Sequence, residues 1–219
     1  MKKTISIFIA LVIIFNIVPF NAFAFETAKG TNEDLVALGC QVFPEYADRI
    51  ISSQNASTFD VSTRQNLRIA FQETRNISEN SQLTYIELTN GEVLFANSHY
   101  TVVPDLTYQE SGTGGVNVYK YDFKITRLSS IGEFNLNNFT YRVYPSAYDT
   151  IISKGSLDYR ACTPTQLYYD SQETASIPAR LAYRIMFEFG NSGEHTFQCD
   201  FFIRIRNNNL SYEIVDYEA

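Results

Sequence analysis

Residues 118–127, VYKYDFKITR, alternate without a break. Tyr119, Tyr121, Phe123 and Ile125 fall on one side of an extended chain, and Lys120, Asp122, Lys124 and Thr126 on the other, because side chains on a strand repeat every two residues. A helix cannot separate these two sets, so the segment must be a strand with one apolar face. The same pattern returns at Leu67, Ile69 and Phe71, at residues 99–103 ahead of Pro104, and at Phe139, Tyr141 and Val143. It continues at Leu157, Tyr159 and Ala161, along Leu181, Tyr183, Ile185, Phe187 and Phe189, along Phe197, Cys199, Phe201, Ile203 and Ile205, and at Leu210, Tyr212 and Ile214. About nine strands with turn signals between them, and no helical pattern interleaved, predict a mainly β fold: an antiparallel β-sandwich. So many apolar faces need one another as partners, since exposing them together invites aggregation. The aromatics of VYKYDFKITR are therefore expected in the core.

The strongest local signal is Asn90-Gly91, the dipeptide preferred in two-residue type I′ hairpins, where both central residues take positive φ. That turn pairs Leu88 with Val93 and Ile86 with Phe95, two apolar pairs on one face. Asn135-Leu-Asn-Asn138 and Asn207-Asn-Asn209 also read as turns.

The chain opens differently. Lys2 and Lys3 precede an apolar run from Ile5, broken at Pro19 and closed by Asn21-Ala-Phe-Ala24, the order of a secretory signal peptide. The run is short for a membrane span, so cleavage after Ala24 and a secreted, extracellular location are expected, and the short Lys-Lys start looks bacterial. Residues 25–62 form a short helical N-terminal segment. Thr31-Asn-Glu-Asp34 resembles a capping box, and Leu35, Leu38, Val42 and Tyr46 follow near helical spacing. Pro44 kinks or restarts that helix. Residues 63–219 are the expected β-sandwich domain.

Without the signal, 195 residues carry 15 basic and 24 acidic side chains, a net charge of −9. An acidic chain with no Lys/Arg cluster argues against nucleic acid and against anionic membrane surfaces. The 28 aromatics of that portion supply ample core.

Little in the sequence carries chemistry. The three cysteines are Cys40, Cys162 and Cys199, and in an exported chain Cys162 with Cys199 is the expected disulfide, since both lie in or beside strands. His99 and His195 stand at no metal-ligand spacing, so neither a metal nor a cofactor is expected. Acids are plentiful, among them Glu87, Asp105, Glu110, Asp122, Asp158, Asp170, Glu188 and Asp200, but spacing in sequence cannot show two converging in a cleft. Asp200 shares a strand face with Arg204, which suggests that those two pair. Ser111-Gly-Thr-Gly-Gly115 precedes a strand, not the helix a phosphate cradle needs, and reads as a flexible connection.

Two places remain for a ligand: Gly112, Gly114 and Gly115 in that connection, and the adjacent Tyr168 and Tyr169. Neighbours on a strand point oppositely, so both rings cannot enter one core, and an exposed flat ring suits sugar or protein contact. The expectation is a secreted non-catalytic binding or interaction protein recognising an extracellular protein or glycan. Its alternatives are a small extracellular hydrolase using a carboxylate pair or a Cys-His pair, and an accessory or immunity-type protein contacting a partner through its N-terminal helix.

Overall fold

The computed structural model describes residues 32–56, 65–106, 116–129, 132–145, 147–190 and 193–217. The expected signal peptide at 1–24 and Gly112, Gly114 and Gly115 lie outside them. Helix α1 (Asn32–Val42) places Glu33 and Asp34 in its first turn, at the positive end of the helix dipole. It stops at Phe43, whose φ of −125° and ψ of 65° keep it out of helical geometry, as a residue before proline prefers. Pro44 then opens a single 3-10 turn, Pro44–Tyr46, that leads into α2 (Ala47–Asn55). The helical pattern restarts at the proline.

Twelve strands follow among the described residues: β1 (Gln65–Leu67), β2 (Ile69–Ser78), β3 (Ser81–Leu88), β4 (Val93–Asp105), β5 (Val116–Arg127), β6 (Glu133–Val143), β7 (Thr150–Ser153), β8 (Ser156–Arg160), β9 (Cys162–Asp170), β10 (Ala179–Phe189), β11 (His195–Arg206) and β12 (Asn209–Asp216). They make two sheets. A seven-stranded sheet runs β2-β3-β4-β5-β6-β7, with β8 also on β6. A five-stranded sheet runs β1-β11-β10-β9, with β12 also on β11. Every ladder is antiparallel except the three-residue β1–β11 pairing.

The sheets pack face to face. Tyr121, Phe123 and Ile125 of β5 are fully buried against Leu181, Ile185 and Phe201, with Tyr119 partly buried at the edge of the same core. Phe123 and Phe201 lie with ring centroids 3.7 Å apart across the interface. The aromatic side of VYKYDFKITR is core, as its alternation implies. Arg127 at the end of β5 ties the sheets together: its Nε donates to buried Glu92, its Nη1 donates to the Glu188 carbonyl at 3.3 Å, and its guanidinium lies 4.1 Å over the Phe189 ring.

A second cluster lies on the other side of the seven-stranded sheet. Val36, Phe43 and Ile50 from the helices bury Leu83, Tyr85, Val93, Phe95 and Leu128. The β3–β4 part of this sheet is therefore covered on both faces, and that explains where the predicted hairpin register fails. Glu87 pairs with Val93, Ile86 with Leu94 and Tyr85 with Phe95, one residue out of the expected alignment. Asn90 is not in the left-handed region, whereas Gly91 is, at φ 83°. With Gly91 N–H bonded to the Leu88 carbonyl and Leu88 N–H to the Glu92 carbonyl, the loop is a type I turn closed by a glycine bulge. The actual register also places apolar residues opposite one another, because both faces are buried. Hydrophobic matching alone could not choose between the two.

Other departures have equally local causes. The chain changes sheets at Arg68, so Leu67 and Ile69 belong to different strands, and a bulge between Ile69 and Phe71 turns those two to opposite faces. Residues 135–138 lie inside β6, not in a turn. Asn138, at φ 58°, bulges there and donates its N–H to Asp122 Oδ1 at 2.7 Å. Asn207 and Asn208, at φ 50° and 67°, do form the two-residue turn between Arg206 and Asn209. β4 continues through Pro104 because β3 ends opposite His99, so beyond that point the missing N–H costs no ladder bond on that side.

Candidate interaction face

In the five-stranded sheet one set of alternating residues enters the core and the other faces outward, and among the described residues the helical layer sits on the opposite sheet. Cross-strand register arranges the outward set in rows. One row is Asp170, Arg180, Arg204 and Ser211. The next is Tyr168, Ala182, Phe202 and Glu213, and a third is Thr165, Arg184, Asp200 and Val215.

Each arginine is held from two sides. Arg180 Nε donates to Asp170 at 2.5 Å with its guanidinium 4.6 Å over Tyr168. Arg204 Nη1 donates to Glu213 at 2.7 Å with its guanidinium 5.0 Å over Phe202. Arg184 forks onto both oxygens of Asp200, at 2.9 and 3.2 Å, and stacks 3.8 Å over Tyr217. The expected Asp200–Arg204 pairing is thus replaced by Asp200–Arg184, since those two face each other across β10 and β11. Tyr168 and Phe202, with centroids 6.0 Å apart, close over Ala182, which is fully buried although it points outward. Isolated surface ion pairs stabilise by about 0–1 kcal/mol and exposed cation–π contacts by about 0.5–1 kcal/mol. Their combination fixes three long side chains in place, so a partner meets an ordered surface.

Tyr168 and Tyr169 point to opposite faces, as the strand period requires. Tyr169 turns inward, donates its hydroxyl to the Ile151 carbonyl at 3.2 Å and carries Lys154 4.4 Å over its ring. Burial raises its pKa. Only Tyr168 belongs to the outer face.

The Cys162–Cys199 bridge is not made, and all three cysteines are free. Cys162 pairs with Phe187 and Cys199 with Ile185, on opposite sides of β10. Two strand spacings put their backbones roughly 10 Å apart, beyond the ~7 Å over which a disulfide closes. Burial pushes the Cys162 thiol up to about 11 and Cys199 well above the ordinary thiol range. Neither is a thiolate near neutrality, so neither is a poised nucleophile. His195 and Cys199 share the inward face of β11 but stand four residues apart, roughly 13 Å along a strand, so no Cys-His pair forms there.

An acid pair does exist, at residues absent from the acids singled out in the sequence. Asp149 and Glu173 are buried, at 1% and 5% exposure. Asp149 accepts the N–H groups of Tyr144 at 3.3 Å and Asn208 at 2.9 Å, while Glu173 accepts those of Asp149 and Asn207, both at 3.4 Å. Burial, then the nearby Glu173 charge, raises the Asp149 pKa against the opposing hydrogen bonds. The pair clamps the β11–β12 turn, and its oxygens face amides and, at Glu173 Oε1, the Arg206 guanidinium 3.6 Å away, rather than a cleft. No sequence motif marks it, because the two acids meet only through the Thr150–Gln172 bridge.

One depression, of about 450 Å³, lies where β9 begins and β10 ends, lined by Ala161, Cys162, Thr163, Met186, Glu188, Gly190 and Gly193. Among the described residues no group of three His, Cys, Asp or Glu side chains could hold a metal, and no helix is long and apolar enough to cross a membrane. The chain matches no protein-family model, and no curated protein or solved structure matches it either.

Proposed function

We propose that this chain is a secreted, non-catalytic binding protein that engages an extracellular protein through the outer face of the five-stranded sheet. The observation that carries this reading is the ordered set of Tyr168, Phe202 and Tyr217 with Arg180, Arg204 and Arg184 on a sheet face that the described helices leave open. Tyr and Arg are the residue types enriched at protein–protein contact centres, and fixing them beforehand lowers the entropy cost of association. A protein fits better than a glycan, because the ring faces that a sugar would stack on already carry guanidinium groups. The helical segment serves as structure, since Phe43 and Ile50 are wholly buried in its packing.

Two assays test the reading on full-length folded protein. Binding to an extracellular protein fraction is expected to be lost in Tyr168→Ala/Phe202→Ala and retained in Lys120→Gln/Lys124→Gln, while a glycan array stays blank. Saturable glycan binding, or protein capture indifferent to the Tyr168/Phe202 change, would sink it.

A further inference from the structure

The polar side of VYKYDFKITR carries Lys124, and cross-strand register sets it opposite Asn135 of β6. Residues so paired have Cβ atoms about 5 Å apart. Glu133 precedes Asn135 by two residues and so shares its face. Its carboxylate holds both neighbours at once: Lys124 Nζ lies 2.5 Å from Oε2, and Asn135 Nδ2 donates to Oε1 at 3.4 Å. From these contacts we infer that Lys124 and Asn135 join through a covalent amide bond between their side chains, with Glu133 carrying the protons. Glu133 takes a proton from the Lys124 ammonium, the freed amine attacks Asn135 Cγ, and Glu133 protonates the departing Nδ2. The Nζ–Cγ bond forms and the Cγ–Nδ2 bond breaks. Ammonium leaves with the positive charge that the lysine brought, and nothing is oxidised or reduced.

This contact differs from the other ion pairs between described residues, all of which use arginine. An ammonium can release its proton and become a nucleophile, whereas a guanidinium cannot. It also differs in its third member, since the oxygen not facing the lysine accepts from the carboxamide that the lysine would attack. Asn135 is 9% exposed, so its amide carbon is shielded from the water that competes with the amine. The ladder between β5 and β6 fixes the reacting groups as neighbours, which makes the step intramolecular. The Lys124 and Glu133 side chains are 37% and 30% exposed, and partial solvation slows proton transfer between them. One turnover is enough, because ammonia is lost to solvent and the amide persists. The product staples β5 to β6 in a chain whose cysteines are all free, and like a disulfide closing a short loop it restricts the unfolded chain. It lies on the sheet opposite the outer face described above, so that face stays intact without it.

The test is intact mass spectrometry and peptide mapping of folded full-length protein. Wild type should be lighter than its sequence by one ammonia, and trypsin should release residues 121–127 and 128–142 as one branched peptide joined at Lys124 and Asn135. Lys124→Arg keeps the charge beside Glu133 and loses the nucleophile, so it should have the full mass of its sequence. Asn135→Ala and Glu133→Gln should do the same. Asn97→Ser, which changes the asparagine on the other flank of Lys124, should still lose ammonia. Folded wild type at its full sequence mass overturns the inference. An ammonia loss that survives Lys124→Arg overturns it too, as does one that maps to Asn90-Gly91, where a backbone succinimide gives the same mass change. Linkage that survives Glu133→Gln overturns the proton-carrying role. The wild-type map decides the existence of the bond even where a variant fails to fold.

Discussion

The two outer faces of the sandwich have opposite characters. On the seven-stranded sheet Leu83, Tyr85, Val93 and Phe95 lie beneath Phe43 and Ile50, and α1 approaches so closely that a Cβ on Gly39 would stand 2.3 Å from the Phe95 ring. On the five-stranded sheet the outward positions alternate arginine, acid and aromatic, and the described helices leave them open. The difference shows what each face is built to do. A covered face spends its aromatics on packing, whereas an open face holds them beside charges that keep it soluble and ordered.

Substitutions can break or sharpen that contrast. The largest effect should come from Phe43→Ala, which empties the centre of the helical cluster and is expected to cost about 3–5 kcal/mol in guanidinium denaturation. An equal loss from Phe202→Ala would erase the distinction between the faces. Asp149→Ala removes the buried acceptor of the Tyr144 and Asn208 N–H groups and should cost about 1–3 kcal/mol. The same residue gives a pH test. Its folded-state pKa is raised, so its stabilising contribution is complete below the ordinary carboxylate range and is lost as pH rises through the raised value. Measured against Asp149→Asn, wild type should gain relative stability as the pH is lowered from about 7 to about 4. A relative loss would mean that the amides, not burial, dominate this carboxyl. The smallest effect is expected from Arg204→Gln: its ion pair and ring contact are exposed, so the midpoint should move by less than about 1 kcal/mol of stability while binding to the partner drops.

How much the sequence disclosed follows the same division. Strands β10, β11 and β12 were legible because one parity faces the core and the other faces outward, and the outward residues are polar often enough to keep the period visible. Around Asn90-Gly91 the period was present but ambiguous, since both parities are buried and a one-residue shift still leaves apolar pairs, Ile86 with Leu94 and Tyr85 with Phe95. The bulges at Ala70 and Asn138 defeat alternation locally, and no residue type announces them. That one ring of the Tyr168–Tyr169 pair must face outward was legible, but which of the two was not. Nor were Phe202, Tyr217 and the three arginines, because they converge through cross-strand register between segments far apart in sequence. The Asp149–Glu173 clamp was hidden for the same reason. The cysteine pairing failed because lying in strands is not enough: β10 stands between the strands that carry Cys162 and Cys199.

Paired photo-crosslinkers test the central claim most directly. One replaces Val215 on the open face and the other replaces Ala37 on the exposed side of α1, each in otherwise unchanged protein incubated with the same extracellular fraction. A partner should be captured through position 215 and not through position 37, with capture suppressed by excess unlabelled wild type and not by Tyr168→Ala/Phe202→Ala. Capture through position 37 alone would make the helical layer the contact element and contradict the account.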